Sequence, residues 1–314
     1  MIKENTVEFK STNGNDTVKG VVYLPQDVEI KGIVQICHGM CEHIGRYENF
    51  ARFLCENGYI VCGHDHIGHG KTAPSNHMFG YFAHTKGWEN LVDDTYKFTK
   101  IIKKLYPNLP IYLFGHSMGS FISRLYVSYY SYAINGFIIS GTGGKNPAVR
   151  AAILLCNIEI KTKGEMYRPK SIDRLAFGSY NSTYKDEENV KAWLSRDCEV
   201  GKKNLADPYC NFLFTASAFK DLFTLLLKAN EAIAFKNTVN TLPILMISGD
   251  DDPVGKFGHG VTEVYQNYRK SGKSDITLKL YHEGRHEMIN ETNKDEVYSD
   301  IIQWLDFHSA SKNK

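Results

Sequence analysis

The sequence predicts an α/β fold: a mostly parallel β-sheet flanked by helices, interrupted by an inserted, mainly helical segment. Three observations predict it. Short apolar runs of strand length alternate with stretches of helical apolar spacing between Gly32 and Ser140. The joints between them are short, as in a parallel sheet whose crossovers are helices. The alternation stops near Gly141 and resumes at Pro243, so the intervening chain belongs to something other than the sheet.

Taken in order, residues 7–10 and 18–24 read as two strands, with Asn13-Gly14 as a hairpin turn signal between them. Residues 32–37 (Gly-Ile-Val-Gln-Ile-Cys) form a short apolar strand. A helix over 47–57 follows, with Phe50, Phe53 and Leu54 at helical spacing and Gly58 as its stop. The strand 59–62 comes next, then a long helix over 88–105 with Leu91, Thr95, Phe98, Ile102 and Leu105 recurring on one face. Pro107 and Pro110 break the chain before the strand 111–114. A helix from Ser117 to about Tyr130 leads to the strand 136–140. Beyond the interruption come a strand at 244–248, a helix at 261–269, a strand at 276–281 and a last helix at 295–307. The expected organisation is a core of residues 1–142 and 239–314, with 143–238 inserted as a cap.

Composition narrows the possibilities. The chain has 314 residues, 42% of them hydrophobic and 23% charged, which suits a globular protein with a sizeable core. Lys plus Arg number 37 against 35 Asp plus Glu, and no basic stripe is present, so charge gives nucleic acid no purchase. None of the seven cysteines (Cys37, Cys41, Cys55, Cys62, Cys156, Cys198, Cys210) forms a Cys-x-x-Cys pair, and several sit in apolar runs. They read as reduced thiols. No signal-type leader or membrane-span run stands out, and the expected location is the cytoplasm. Oligomeric state is not legible.

Gly115-His116-Ser117-Met118-Gly119 matches the Gly-x-Ser-x-Gly nucleophile elbow, with a predicted strand running in and a predicted helix running out. A side chain at either glycine would meet neighbouring backbone in so tight a turn. The turn exposes the Ser117 hydroxyl at the strand end, beside the N–H groups of the first helical turn. A serine hydroxyl needs a base, and a base of this kind needs an orienting acid. After the strand 244–248 comes Gly249-Asp250-Asp251-Asp252-Pro253. After the strand 276–281 comes His282-Glu283-Gly284-Arg285-His286-Glu287. Both lie at carboxyl ends of strands, on the sheet edge that carries Ser117. His286 is the candidate base, with His282 as its competitor just past the strand end. Asp250, Asp251 and Asp252 are candidates for the acid. Oxyanion donors are expected from the N–H groups of Met40, after the strand 32–37, and of Met118. Glu287 is expected to hydrogen-bond nearby backbone, and His38 and His116 to orient loops.

In combination these blocks resemble the monoacylglycerol lipase and lysophospholipase family of α/β-hydrolases. The resemblance rests on His38-Gly39-Met40-Cys41-Glu42-His43 with Arg46-Tyr47, on Gly63-His64-Asp65-His66-Ile67-Gly68-His69-Gly70, on Gly115 to Gly119, on Gly249 to Val254, and on His286-Glu287. These blocks keep the family's order and cover most of the chain outside the cap. Ile67 and Ser120 depart from the residues usual at their positions. The resemblance implies an α/β-hydrolase fold and places the acid at Asp252 and the base at His286. It also implies hydrolysis of acyl esters of glycerol or lysolipids without a cofactor.

Two readings from other classes compete. His64, His66 and His69 have His-x-His-x-x-His spacing, which also suits a metallohydrolase, although Gly68 stands where such a site wants a carboxylate. A hydrolase fold can also serve as a non-catalytic binding protein. On the same serine chemistry, short-chain carboxylesterase, thioesterase and peptidase activities are alternatives. In the expected cap, Phe212, Phe219 and Phe223 recur at helical spacing and are candidates for the wall of an acyl pocket. The expected partner is a small-molecule or lipid ester, with transient contact to a membrane surface and no metal.

Overall fold

In the computed structural model, residues 2–184 and 191–310 are described; positions 1, 185–190 and 311–314 of the expected ranges lie outside the described residues. β1 (Lys3–Lys10) and β2 (Thr17–Leu24) pair antiparallel around a turn in which Gly14 adopts φ 80°. β3 (Gly32–Cys37), β4 (Tyr59–His64), β5 (Ile111–His116), β6 (Gly136–Ser140), β7 (Ile244–Gly249) and β8 (Ile276–Tyr281) complete one sheet in the order β1-β2-β4-β3-β5-β6-β7-β8. From β4 across to β8 every pairing is parallel. β2 joins β4 antiparallel.

Several strands run past the apolar run that predicts them. β1 begins at Lys3 instead of residue 7, and β5 continues through Gly115 to His116. Ladder hydrogen bonds need backbone and not apolar side chains, so polar residues extend a strand wherever a neighbour is present. The inner strands are buried on both faces, as in other sheets covered by helices on both sides. Their side chains alternate: Ile111 and Leu113 join the core on one face, Tyr112 and Phe114 the core on the other. Gln35 is a buried polar residue on β3, satisfied by donating to the carbonyl of Thr95 at 3.0 Å and accepting from the hydroxyl of Thr99 at 2.8 Å.

α1 (Glu48–Glu56), α2 (Gly87–Leu105) and α3 (Met118–Tyr130) connect the first strands. Leu105, expected on the buried stripe of α2, is largely exposed at the end of the helix. Between β6 and β7 lie α4 (Val149–Lys163), α5 (Lys170–Phe177), α6 (Cys198–Ala206), α7 (Ala216–Ala229) and α8 (Ala232–Asn237), with no strand among the described residues. This is the stretch expected to form the cap. α9 (His259–Lys270) and α10 (Lys294–Ala310) close the fold.

The inserted stretch is tied to α3 where it leaves the sheet and again near its return. Arg124, fully buried on α3, donates to the carbonyl of Gly143 at 3.1 Å, to the carbonyl of Ala229 at 2.6 Å and to Asn230 Oδ1 at 2.9 Å. Its guanidinium also lies 5.3 Å from the centre of the Phe235 ring. A buried cation without such acceptors would be strongly unfavourable.

Candidate active site

The chain leaves β3 toward one side of the sheet and β5 toward the other, so a crevice opens at their carboxyl ends. Ser117 sits there, between β5 and α3, with φ 52° and ψ −121°. That is a sparsely populated conformation for a residue with a side chain, and it costs on the order of 1–3 kcal/mol. Its N–H donates to the carbonyl of Ser140 at 3.0 Å, and its carbonyl accepts from the N–H and hydroxyl of Ser120 at 2.8 and 2.6 Å. Both glycines of the elbow are sterically required. A Cβ on Gly115 would come within 2.7 Å of the Gly119 carbonyl oxygen, and one on Gly119 within 2.0 Å of the Cys37 carbonyl oxygen.

Asp252 follows β7 and His286 follows β8. His286 Nδ1 lies 3.0 Å from Asp252 Oδ2. Asp252 Oδ1 accepts the N–H of Val254 at 2.9 Å, and both side chains are shut off from solvent. The neighbouring aspartates go elsewhere. Asp250 is partly exposed and accepts from the N–H of Glu283 at 2.7 Å, while its other oxygen faces the exposed His282 at 3.2 Å. The backbone carbonyl of Asp251 accepts the hydroxyl of Tyr184. Ser117 and His286 line the same cavity.

The loop after β3 brings Met40 to the lining of this cavity, which Met118 also lines. Its shape is set by buried polar contacts. The Gly39 N–H donates to Glu42 Oε1, and Glu42 also accepts from Tyr47 Oη at 2.8 Å and Arg46 Nη1 at 2.7 Å. The Cys41 N–H donates to His69 Nε2 at 3.3 Å, with Cys41 at φ 52°. Arg46 then reaches across to Glu287, beside the candidate base, in a two-pronged pair at 2.9 and 2.7 Å. Glu287 therefore binds a guanidinium and not the nearby backbone the sequence suggested. Its bond spans residues too far apart in the chain for local pattern to reveal.

Histidine electrostatics separate one ring from the rest. Burial pushes His64 and His116 down to about 3 and His69 to about 4, and it holds His38 and His66 well below the ordinary range. His286 goes the other way. Burial alone would lower it, but the charge and hydrogen bond of Asp252, with help from Glu287 and Glu42, raise it above its ordinary value. Burial would also raise Glu287, yet Arg46 holds it at about 2. Glu42 is raised by burial.

Several nitrogens of the histidine-rich stretch make local hydrogen bonds. His66 donates its N–H to His38 Nε2 at 3.0 Å, its Nε2 lies 3.1 Å from the His38 carbonyl, and His69 Nδ1 lies 3.1 Å from the carbonyl of Ile67. His64 packs its ring against Phe9 and Phe98 with neither nitrogen bonded. Ligand atoms do gather within 4.8 Å at His43, Asp207 and Cys210. There His43 Nε2 and Asp207 Oδ2 already pair at 2.8 Å, joining the β3 loop to the inserted stretch.

The cavity encloses about 640 Å³. Much of its wall is apolar: Ala152 and Leu155 of α4, Ile172, Leu175 and Phe177 of α5, and Leu222, Phe223 and Leu226 of α7, with Asn146, Asp173, Asn181, Lys191 and Asn211 as polar points among them. Phe212 and Phe223 line it as the sequence suggested. Phe219 does not. One helical turn before Phe223, it is fully buried and packs against Phe223, Phe214 and Phe177. Helical spacing put both residues on one face of α7, but that face is shared between cavity and core. The α4 and α5 residues of the wall were not singled out from the sequence, because short apolar positions such as Ala152 carry no distinguishing pattern.

Comparison with known proteins agrees with this architecture. Residues 28–293 match the family described as serine aminopeptidase (Hydrolase_4). A monoacylglycerol lipase of Mycolicibacterium smegmatis is 27% identical over 90% of both chains. The monoglyceride lipase of Homo sapiens is 26% identical over 90% of this chain and 84% of its own. The crystal structure of a thermostable carboxyl esterase from Bacillus coagulans, in complex with glycerol, superposes with a TM-score of 0.91 at 28% identity, covering 98% of this chain and all of the other.

Proposed function

The chain belongs to the serine aminopeptidase (Hydrolase_4) family, and on that premise we propose that it cleaves monoacylglycerols or lysolipid esters through an acyl-enzyme on Ser117. It is a serine ester hydrolase of the monoglyceride-lipase type. In the proposed mechanism Ser117 Oγ attacks the ester carbonyl as His286 Nε2 takes its proton. Asp252 fixes the tautomer with the proton on Nδ1 and stabilises the imidazolium that forms. The N–H groups of Met40 and Met118 receive the developing oxyanion. The imidazolium then protonates the departing alcohol, and a water activated by the same ring releases the acid.

One observation carries the reading. The strained elbow and His286, itself paired to the buried Asp252, face one cavity in which α4, α5 and α7 present a mainly apolar wall, including Ala152, Leu155, Ile172, Leu222, Phe223 and Leu226. That suits an acyl chain better than a peptide, even though the family takes its description from an aminopeptidase. No helix among the described residues is long and apolar enough to cross a membrane. Leu154 and Ile158 of α4 are exposed and do not line the cavity, and this surface is the proposed place of transient contact with a lipid layer. The test is a hydrolysis screen of the purified protein against monoacylglycerols, lysophospholipids, short esters, thioesters and aminoacyl amides. Preference for the amides would overturn the reading.

A further inference from the structure

His286 is held from the inserted stretch as well as from the core. Its imidazole is in contact with two rings: His116, with centroids 4.7 Å apart, and the indole of Trp193, at 5.0 Å and an interplanar angle of 37°. Trp193 is itself backed by Tyr180 at 5.2 Å. The same short piece of chain grips the loop that carries the base. The His286 N–H donates to the Trp193 carbonyl at 3.3 Å, and the Glu287 N–H donates to the Leu194 carbonyl at 2.8 Å. Arg285 Nη1 donates to the carbonyl of Ala192 at 2.9 Å. Ser195 Oγ donates to the carbonyl of Asn290 at 3.1 Å, and Arg196 holds Glu291 through its N–H and Nε at 2.9 and 3.0 Å.

We propose that residues 192–196 are a strap that positions the base, with Trp193 as the positioning residue, so that His286 is competent only while this part of the insert is seated. The proposal rests on His286 being the base. Asp252 fixes one end of the imidazole, but a single hydrogen bond at Nδ1 leaves the ring free to swing about it. Its contacts with the rings of His116 and Trp193 restrict that swing. The consequence is kinetic, because a displacement of about 1 Å in a catalytic group can cost on the order of a hundredfold in rate. The indole face also meets the imidazolium that forms during turnover, a favourable arrangement for a cation.

Fluorophosphonate labelling of Ser117 reads the base directly and needs no acyl pocket. Trp193→Leu is expected to slow labelling by about tenfold or more, and Trp193→Phe, which restores a ring wall, to stay within about threefold of wild type. Leucine and phenylalanine variants that label equally fast would overturn the strap. A wild-type protein that does not label at all would instead overturn the triad reading. A second measurement leaves the strap intact. In Trp88→Phe/Trp304→Phe, Trp193 is the remaining tryptophan, and the ring pair of Trp304 with His308 no longer contributes. A protonated imidazole against an indole quenches its emission. Emission should therefore rise with pH through the same midpoint as kcat/KM, and His286→Gln should abolish that step. The other charged or titratable groups around His286 are Asp252, Glu287, Glu42, Arg46 and His116; burial keeps His116 neutral across this range and Arg46 keeps Glu287 ionised. A flat profile, or a step that survives His286→Gln, would overturn the proposal.

Discussion

Asp252 Oδ2 stands 3.0 Å from His286 Nδ1, and neither side chain reaches solvent. A carboxylate in that position forces the proton onto Nδ1 and leaves Nε2 free to accept. Asp252→Asn is expected to reverse the tautomer and lower kcat by about ten-thousandfold. Asp250→Asn, on a partly exposed side chain that meets Glu283 and His282, is expected to lower it less than about threefold. Steady-state kinetics on one soluble ester compares the two, and equal damage would reassign the acid.

Ser117→Ala is expected to abolish fluorophosphonate labelling and to reduce ester hydrolysis by about a millionfold while the fold persists. Intact-mass spectrometry after labelling, with a thermal melt on the same sample, checks both. A folded variant retaining a tenth of the wild-type rate, or about that, would remove Ser117 from the mechanism.

The pH dependence follows from the raised His286. In the proposed mechanism the active form carries a neutral imidazole, so a raised pKa would keep the candidate base protonated, and idle, to higher pH. The rate should climb through a midpoint above 6.5 and fall away below it. The other buried histidines near the site are pushed down and stay neutral through that window. A kcat/KM profile on a non-ionising ester reads the midpoint, and a value clearly under 6.5 would contradict the environment described for His286.

Phe223 and Phe219 should behave differently although they are one helical turn apart. Each methylene enclosed by the apolar wall contributes about 0.8 kcal/mol, so specificity should rise from acetyl toward octanoyl esters. Phe223→Ser, on the cavity wall, is expected to flatten that rise and spare acetyl turnover. Phe219→Ala is expected to destabilise the fold by about 3–5 kcal/mol, with chain-length preference largely kept. Ester series and denaturant melts on both variants separate the roles; wild-type preference for acetyl esters would mean a short, closed pocket.

Arg46 bridges two buried carboxylates, Glu42 in the loop after β3 and Glu287 beside His286. Arg46→Met leaves Glu42 and Glu287 without their partner and is expected to cost about 3–5 kcal/mol in urea unfolding. Arg46→Lys is expected to recover part of that, since an ammonium cannot grip Glu287 with two prongs. A neutral Arg46→Met would show the pair to be dispensable.

How much of this could be read beforehand varies with the range of the interaction. The elbow was legible because strand, glycines, serine and helix are consecutive. Strand ends placed Asp252 and His286 on the same edge for a related reason: in a parallel sheet, chain direction alone decides the edge. The role of Glu287 was not legible, because its partner Arg46 lies 241 positions away. Nor was Trp193, whose function depends on where an insert lands on a loop from the other end of the chain. The aromatic stripe on α7 was visible, yet periodicity gives a face and not what that face touches, which is why Phe219 was grouped with Phe223.

The strap has a consequence for how this chain can be recombined. Residues 192–196 supply the acceptors for Arg285, His286 and Glu287, so the insert is not an interchangeable cassette. A chimera that takes its insert between Ser140 and Ile244 from another hydrolase would acquire a new acyl wall and, in the same step, strip the base loop of its anchors. Selectivity and turnover are thereby inherited together, and a productive exchange has to carry the 285–291 loop along with the insert.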